Sequence, residues 1–405
     1  MYILRVLVFS GLFPQGRNES SGSFITRRLA ALKNEGVDFE ALAVQSYDSL
    51  FLKTVRNIMR KGETVRQNDL VSSEKDIVYP FSLYKYESLR KGILDILLKE
   101  YGYGRIETLV ESAINEQTDL IHAHWVVPHG YVAVRLGMKH RIPVIVSAHG
   151  SDIHTNASKS RSSLKRTLFT LENASRVIFV SEALKKAARD LGYSGRNAIV
   201  IPNGVDTKMI EQVTELESNQ RSSNFKDHAV VGFVGNLVPV KRADRFPAIF
   251  KKIAEKTDAR FLVVGDGPLR EKIQQDCSKY NLRVDFVGRV PQDDVFKYMN
   301  LMDVLILPSR NEGWPCVVLE AQACGVPVVG SNNGGIPEAI GNGGSVVQDG
   351  ENFEERFAKS VVEFLRNPVD SLELRKRAVQ FDWSIVVGKE IAVYKEVIPR
   401  HDTRA

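Results

Sequence analysis

The sequence predicts an α/β protein built from two doubly wound, parallel-sheet domains, and three observations carry that prediction. Short continuous runs of Val, Ile, Leu and Phe recur along the 405 residues, as in strands buried on both faces of a parallel sheet. Amphipathic stretches of helical period lie between them, and such alternation marks a sheet covered by helices. The series then runs twice, and at roughly 150 residues per domain a chain of this length holds two or three.

In order, the first series has predicted strands at Ile3–Ser10, Asp38–Val44, Leu120–Ala123, Val144–Ser147, Val177–Val180 and Ala198–Ile201. Helical patterns fall at Phe24–Glu35, Leu164–Glu172 and Glu182–Leu191. Segment 50–118 is polar and basic up to about Lys75 and then helical in period through Leu94–Glu111, which predicts an inserted loop and one or two helices. A turn-rich stretch, Pro202-Asn203-Gly204-Val205-Asp206, and a polar segment, Glu211–His228, mark the domain boundary. The second series offers strands at Val230–Val234, Phe261–Val264, Val284–Val287, Val304–Leu307 and Val326–Val329, with helices at Asp244–Lys256 and Pro268–Tyr280. The amphipathic run Ile385–Ile398 after Phe381-Asp382-Trp383-Ser384 predicts a terminal helix. The domains are therefore 1–205 and 206–380, followed by a terminal segment 381–405.

Composition removes several classes. Hydrophobic residues are 43% and charged residues 26%, an ordinary globular mixture. Three cysteines, Cys277, Cys316 and Cys324, are too few for a disulfide framework, and none has zinc-ligand spacing. The apolar run Tyr2–Phe13 is broken by Arg5, ends at Pro14 and lacks a cleavage site, so it is expected to be a first strand rather than a signal peptide. No stretch approaches about 18 uncharged apolar residues, the length of a membrane span. The expected compartment is cytoplasmic. Net charge is +6. Residues 1–205 hold 28 Lys and Arg against 20 Asp and Glu, while residues 206–405 hold 27 against 29. A basic first half fits either an anionic partner or a solvated basic face. No aromatic-interleaved basic motif or helix-turn-helix cue points to nucleic acid.

The most informative stretch is Pro308-Ser309-Arg310-Asn311-Glu312-Gly313-Trp314-Pro315-Cys316-Val317-Val318-Leu319-Glu320-Ala321. A buried strand runs into a short loop and a helix starts near Pro315, a residue favoured at the first helical position. Unpaired N–H groups and the dipole at such a start form an anion site. With Glu312 before it and Glu320 inside the helix, a pyrophosphate there would have a sugar and a ribose within reach of carboxylates. A helix start carrying two solvated glutamates is the other reading of the same residues.

Glu312 and Glu320, with seven residues between them and Gly313 after the first, resemble the EX7E motif of retaining glycosyltransferases of the family 4 type. Gly235-Asn236-Leu237-Val238-Pro239-Val240-Lys241 is similar to that family's GRLxxxKG segment. Val264-Gly265-Asp266-Gly267-Pro268, Val287-Gly288-Arg289-Val290, Ala323-Cys324-Gly325-Val326-Pro327 and Gly334-Gly335-Ile336-Pro337-Glu338 continue the resemblance in order. So do His122-Ala123-His124-Trp125, His149-Gly150-Ser151-Asp152 and Ile201-Pro202-Asn203-Gly204-Val205-Asp206 in the first half. These stretches look most like exopolysaccharide or teichuronic-acid-type members.

The resemblance implies a GT-B fold: two Rossmann-like domains facing across a cleft, the terminal helix crossing back to the first. It implies a nucleoside-diphosphate sugar held mainly by the second domain. Lys241 would neutralise the diphosphate, Glu320 would hold the ribose, and Gly288, Arg289 and Val290 would line the base pocket. Glu312 and the backbone amides of Gly313, Trp314, Pro315, Cys316 and Val317 would orient the donor sugar. His149 would face the sugar from the first domain, and Gly22 would lie near phosphate or acceptor. The acceptor implied is a lipid-linked glycan, in surface polysaccharide assembly.

The chemistry of such a transfer asks mainly for stabilisation of charge growing on the leaving diphosphate. Lys241 and helix-start N–H groups can supply that without a metal, and the sequence has no Asp-x-Asp. Metal independence is expected, with no cofactor beyond the donor. Glu312 is expected to position the donor rather than act as nucleophile. Two residues depart from the pattern. Asn236 stands where the family often has a basic residue, and Arg242 where it usually has Gly, either compensating for Asn236 or pointing to solvent. Trp314 replaces a more usual Phe. Rival readings are a GT-B epimerase, a phosphorylase, or a nucleotide-sugar-binding subunit without catalysis.

The remaining candidates each have two readings. His124 is either structural or touches the acceptor, and Asp152 either orients His149 or caps the following helix. Cys316 either packs or presents a reactive thiolate at the anion site. Lys159, Arg161, Lys165 and Arg166, at near-helical spacing, are either a solvated face or a dock for anionic lipid, which would make the protein peripheral on the inner face of the plasma membrane.

Overall fold

The computed structural model describes residues 4–11, 22–47, 81–87, 94–211 and 228–398. The chain forms two compact units. The first is residues 1–179, 187–200 and 387–405; the second is residues 180–186 and 201–386. The Asn- and Ser-rich loop around 18–21, the polar segment 212–227 and residues 48–80 lie outside the described residues.

The first unit is built on a seven-stranded parallel sheet. Its strands are β1 (Arg5–Ser10), β2 (Asp38–Tyr47), β3 (Phe81–Glu87), β4 (Leu120–His124), β5 (Val144–Ala148), β6 (Arg176–Phe179) and β7 (Ala198–Val200), in the order β3-β2-β1-β4-β5-β6-β7. The second unit has β8 (Ala229–Val234), β9 (Ala259–Val264), β10 (Val284–Gly288), β11 (Val304–Leu307), β12 (Val328–Ser331) and β13 (Gly344–Val347), ordered β10-β9-β8-β11-β12-β13. Both orders start at a central strand, run outward, and return to build the other half. Such doubly wound sheets bind ligands at the carboxyl ends of the strands where the order reverses. In the first unit that point lies between β1 and β4, in the second between β8 and β11.

Burial follows the apolar runs. Every residue of β4, β5 and β11 is buried, as expected for central strands covered on both faces. In the second unit Phe233, Phe246, Phe250 and Phe261 stack in series at ring distances of 4.6, 5.7 and 4.2 Å, joining sheet to helix Phe246–Ala254.

Two strands correct the sequence reading. Segment 50–118 contributes edge strand β3 as well as helix Leu94–Glu111. The second sheet gains β13, which carries too little apolar sequence to announce itself. Gly344 begins it because a Cβ there would stand 1.9 Å from the Val328 carbonyl oxygen. Near the chain end, helix Trp383–Val397 passes from the second unit into the first, where Glu390 and Tyr394 are fully buried.

Candidate functional site

In the second unit the carboxyl ends of β8, β10 and β11 bring together most of the residues singled out from sequence. Lys241 ends a short 3-10 turn, Pro239–Lys241, after β8. Glu312 lies in the loop after β11. The Lys241 ammonium donates to Glu312 Oε1 at 2.5 Å, with both side chains largely buried. The loops are also joined by their main chains, Arg310 N–H donating to Val240 O at 2.7 Å.

Beyond Glu312, Gly313, Trp314 and Pro315 are buried, and Cys316 and Val317 are half-buried at the start of helix Cys316–Ala323. Pro315 is the residue before the first helical one, no side chain caps that end, and its first turn holds no acidic residue. A helix N-terminus of this kind favours an anion. Glu320 lies further along the helix, and Gln292 Nε2 donates to its Oε1 at 3.1 Å. Gln292 opens helix Gln292–Met299, just after the segment Gly288-Arg289-Val290. Gly288 has φ 87°, in the left-handed region, while Arg289 is exposed and Val290 half-buried.

The Glu312 loop rests on a second loop, Asn332–Gly335. Gly335 N–H donates to Glu312 O at 2.8 Å. Cβ atoms at Gly334 and Gly335 would stand 2.2 Å from Glu312 O and 2.1 Å from Gly313 O. Only two glycines let the backbones approach this closely.

Arg242 does not point to solvent: its side chain is 7% exposed and pairs with both oxygens of Asp349, at 2.5 and 2.6 Å. Its guanidinium lies 5.1 Å over the Phe353 ring. Its φ is 52°, which explains why glycine is the more usual residue in the similar family segment. Asn236 is exposed and brings no charge.

In the first unit, His149 follows β5 and His124 ends β4. Their rings stack at 5.2 Å, and His124 Nδ1 and His149 Nε2 share a hydrogen bond at 3.0 Å. Trp125 and Phe24 flank His149 at 4.7 and 5.0 Å. Burial, and then the nearby histidines and Arg28, hold both imidazoles well below the ordinary histidine range, so both are neutral near pH 7. Asp152 acts on the main chain at His149 and gives no side-chain cap to the following helical turn, whose N-cap is Ser151. Its carboxylate accepts from the amides of Gly150 (2.8 Å), His149, Ile153 and Val126 (3.2 Å each), fixing the main chain around His149 rather than its ring. Burial outweighs these bonds and raises its pKa. Gly22 has φ 80° and precedes helix Ser23–Asn34, its carbonyl accepting from Ile25 at 2.8 Å.

His122 is structural. It bonds Tyr394 Oη at 2.7 Å and Ser147 Oγ at 2.8 Å, beside the Arg28–Glu390 pair at 3.3 Å. Among the described residues, no three His, Cys, Asp or Glu side chains are placed to hold a metal ion. No helix among them is long and apolar enough to cross a membrane.

Sequence reasoning missed Gln292 and Asp349, and gave the Gly334–Gly335 pair no role. Gln292 had a usable signal, since it closely follows the segment Gly288-Arg289-Val290. Asp349 had none, because its partner is 107 residues away.

Comparison with known proteins agrees with this architecture. Residues 194–381 match the model described as glycosyl transferases group 1, and residues 86–209 match glycosyltransferase family 4. The uncharacterized glycosyltransferase MJ1178 of Methanocaldococcus jannaschii is 31% identical over 363 residues, covering 83% of this chain and 95% of that one. Bacillus subtilis TuaC, named for glycosyl transfer in teichuronic acid biosynthesis, is 26% identical over 343 residues, 84% of this chain and 83% of TuaC. Among solved structures, Anabaena HepE in complex with UDP and glucose aligns with a TM-score of 0.68 at 19% identity, over 97% of this chain and 100% of that one.

Proposed function

Because this chain belongs to the glycosyltransferases, with domains of the group 1 and family 4 types and the GT-B fold, we propose that it transfers a sugar from a nucleoside diphosphate to a glycan acceptor with retention at the anomeric carbon. One observation carries the reading: Lys241 and Glu312 are paired beside the uncapped start of helix Cys316–Ala323. An ammonium has three N–H donors. Glu312 takes one of Lys241's and directs the group, and the others serve the diphosphate. The helix start adds dipole and N–H groups to the same anion. Together they stabilise the leaving group without calling on a metal.

Glu312 positions the donor sugar. A carboxylate held on the same ammonium as the leaving diphosphate lies on that side of the sugar, whereas a nucleophile for double displacement must lie on the opposite face. Retention then follows from acceptor attack on the leaving-group face. Glu320, steadied by Gln292, holds the ribose, and Gly288, Arg289 and Val290 border the base. Arg242 takes no part in binding the diphosphate. His149, neutral and flanked by aromatic rings, is the first-unit group for sugar or acceptor.

The name of TuaC supports surface polysaccharide assembly as the setting, and HepE, which binds UDP and glucose, makes UDP-sugars the first donors to test. The test is a thermal-shift panel with UDP-, GDP- and ADP-sugars, each with and without EDTA. A donor at about 100 times its dissociation constant adds about 2.7 kcal/mol of stability. A shift with one base, unchanged by EDTA, is expected. Binding that disappears with EDTA would overturn metal independence. Binding without turnover on any acceptor would move the reading to a donor-binding subunit, and a free sugar product to an epimerase. Lys159, Arg161 and Lys165 are exposed beside or within helix Arg161–Asn173, while Arg166 lies 4.9 Å over Tyr103. We assign the exposed charges to docking on anionic lipid in a cytoplasmic setting. Co-sedimentation with phosphatidylglycerol vesicles that survives their removal would refute this.

A further inference from the structure

Immediately after Lys241 the chain turns left-handed at Arg242, φ 52°. A side chain in that region is strained, which glycine avoids. What holds Arg242 there is visible around it. Asp349 grips the guanidinium through both oxygens, Phe353 lies beneath it, and Nη1 also reaches Pro308 O at 3.5 Å. Asn333 Nδ2 in turn bridges Asp349 Oδ2 at 3.1 Å and Ser309 O at 3.3 Å. One carboxylate thereby joins three loops: the Lys241 turn, the strand end leading to Glu312, and the loop whose glycines support Glu312.

We propose that Asp349 is a positioning residue for the candidate site, acting through Arg242 to fix Lys241 opposite Glu312. The inference rests on the reading of Lys241 as the diphosphate ligand. Its chemistry is that of a buried cation with a single carboxylate partner. Removing the carboxylate leaves the guanidinium buried and uncompensated, a strongly unfavourable state that the turn escapes by unwinding. The turn carries Lys241 with it. The hydrogen bonds from Arg242 hold the Asp349 carboxyl below its ordinary range, consistent with a carboxylate committed to this pair. Dependence on Asp349 is thus created by Arg242. With glycine at 242 the same left-handed turn forms unaided, and Asp349 becomes dispensable.

The experiment measures binding of UDP, GDP and ADP, and of the matching monophosphates, to the full chain carrying K241A, D349N, R242G or R242G/D349N. Lys241 acts on the diphosphate, so K241A lowers diphosphate affinity relative to monophosphate. D349N is expected to do the same, by about tenfold, with monophosphate affinity little changed. R242G/D349N should regain diphosphate affinity to within about threefold of R242G alone, the coupling expected of two residues acting as one pair. That comparison stands even if D349N alone fails to fold. The inference is overturned if D349N binds diphosphate as the parent does, if both nucleotides lose affinity together, or if D349N weakens diphosphate binding equally in the R242G background. If K241A itself leaves the diphosphate preference intact, the reading of Lys241 fails first and takes the inference with it.

Discussion

Glu312 and Glu320 are both carboxylates of one loop and helix, yet their neighbours give them different work. Glu312 touches the Lys241 ammonium at 2.5 Å, where the reaction's charge would develop. Glu320 touches Gln292, away from that cation. E312A should therefore collapse turnover by a factor on the order of 10² to 10³, as loss of a transition-state contact does, while nucleotide alone still binds. E320A should weaken nucleotide binding by about tenfold, the scale of a lost hydrogen bond to a charged group. Steady-state rates and nucleotide titrations on both variants check this, and equal losses in both assays would contradict the division. At this scale the resemblance picked out Glu312, Glu320 and Lys241, and the fold brings Lys241 and Glu312 into contact. Arg242 was not readable, because a side chain's partner depends on which distant loop the fold brings to it. For Asp152 the sequence offered two roles, and the fold instead uses the carboxylate to collect four amides where the chain turns sharply, without capping the following helical turn.

The elements that place these side chains meet backbone to backbone. Gly335 has an ordinary φ of −81°, so conformational strain does not explain glycine there. Space does: its Cβ would stand 2.1 Å from the Gly313 carbonyl oxygen, and the hydrogen bond from its N–H to Glu312 O leaves the loops no freedom to part. G335A must push the Glu312 loop aside. Turnover should fall by about tenfold or more, the order of loss that an ångström of misplacement causes. The cost in stability should be about 1–3 kcal/mol, typical of overpacking. Activity assays beside thermal melts decide the matter, and unimpaired turnover would show that the contact does not position Glu312. Glycine pairs are visible in a sequence, but the backbone each one admits is not. Gly344 in β13 makes the same point: its role is the nearness of Val328 O, and a four-residue edge strand with little apolar content gives no period to read. The long central runs did give one, and β4, β5 and β11 lie close to where those runs predicted them.

Over the whole chain, the terminal helix ties the end of the sequence into the first unit through a buried charge. Arg28 and Glu390, 3.3 Å apart, are both fully inaccessible, and Glu390 also accepts from the Tyr394 hydroxyl. Burial alone would raise the Glu390 pKa, but Arg28, His122 and Tyr394 outweigh it and hold it at about 2. The folded value lies below the ordinary carboxylate value of 4.5. The pair's contribution is accordingly complete above that value and is lost as pH falls toward 2. Removing one partner of such a pair leaves a buried charge unpaired and costs about 3–5 kcal/mol. E390Q should lower the unfolding midpoint accordingly and flatten the acid limb of the stability profile, because the variant has no carboxylate to protonate there. Replacing both partners, as in R28M/E390Q, should recover much of the loss, since burial of a desolvated pair gains little over apolar packing. Urea unfolding of the parent and both variants between pH 3 and pH 7 tests these statements together. An E390Q midpoint equal to that of the parent would mean that the terminal helix is held by its apolar face alone.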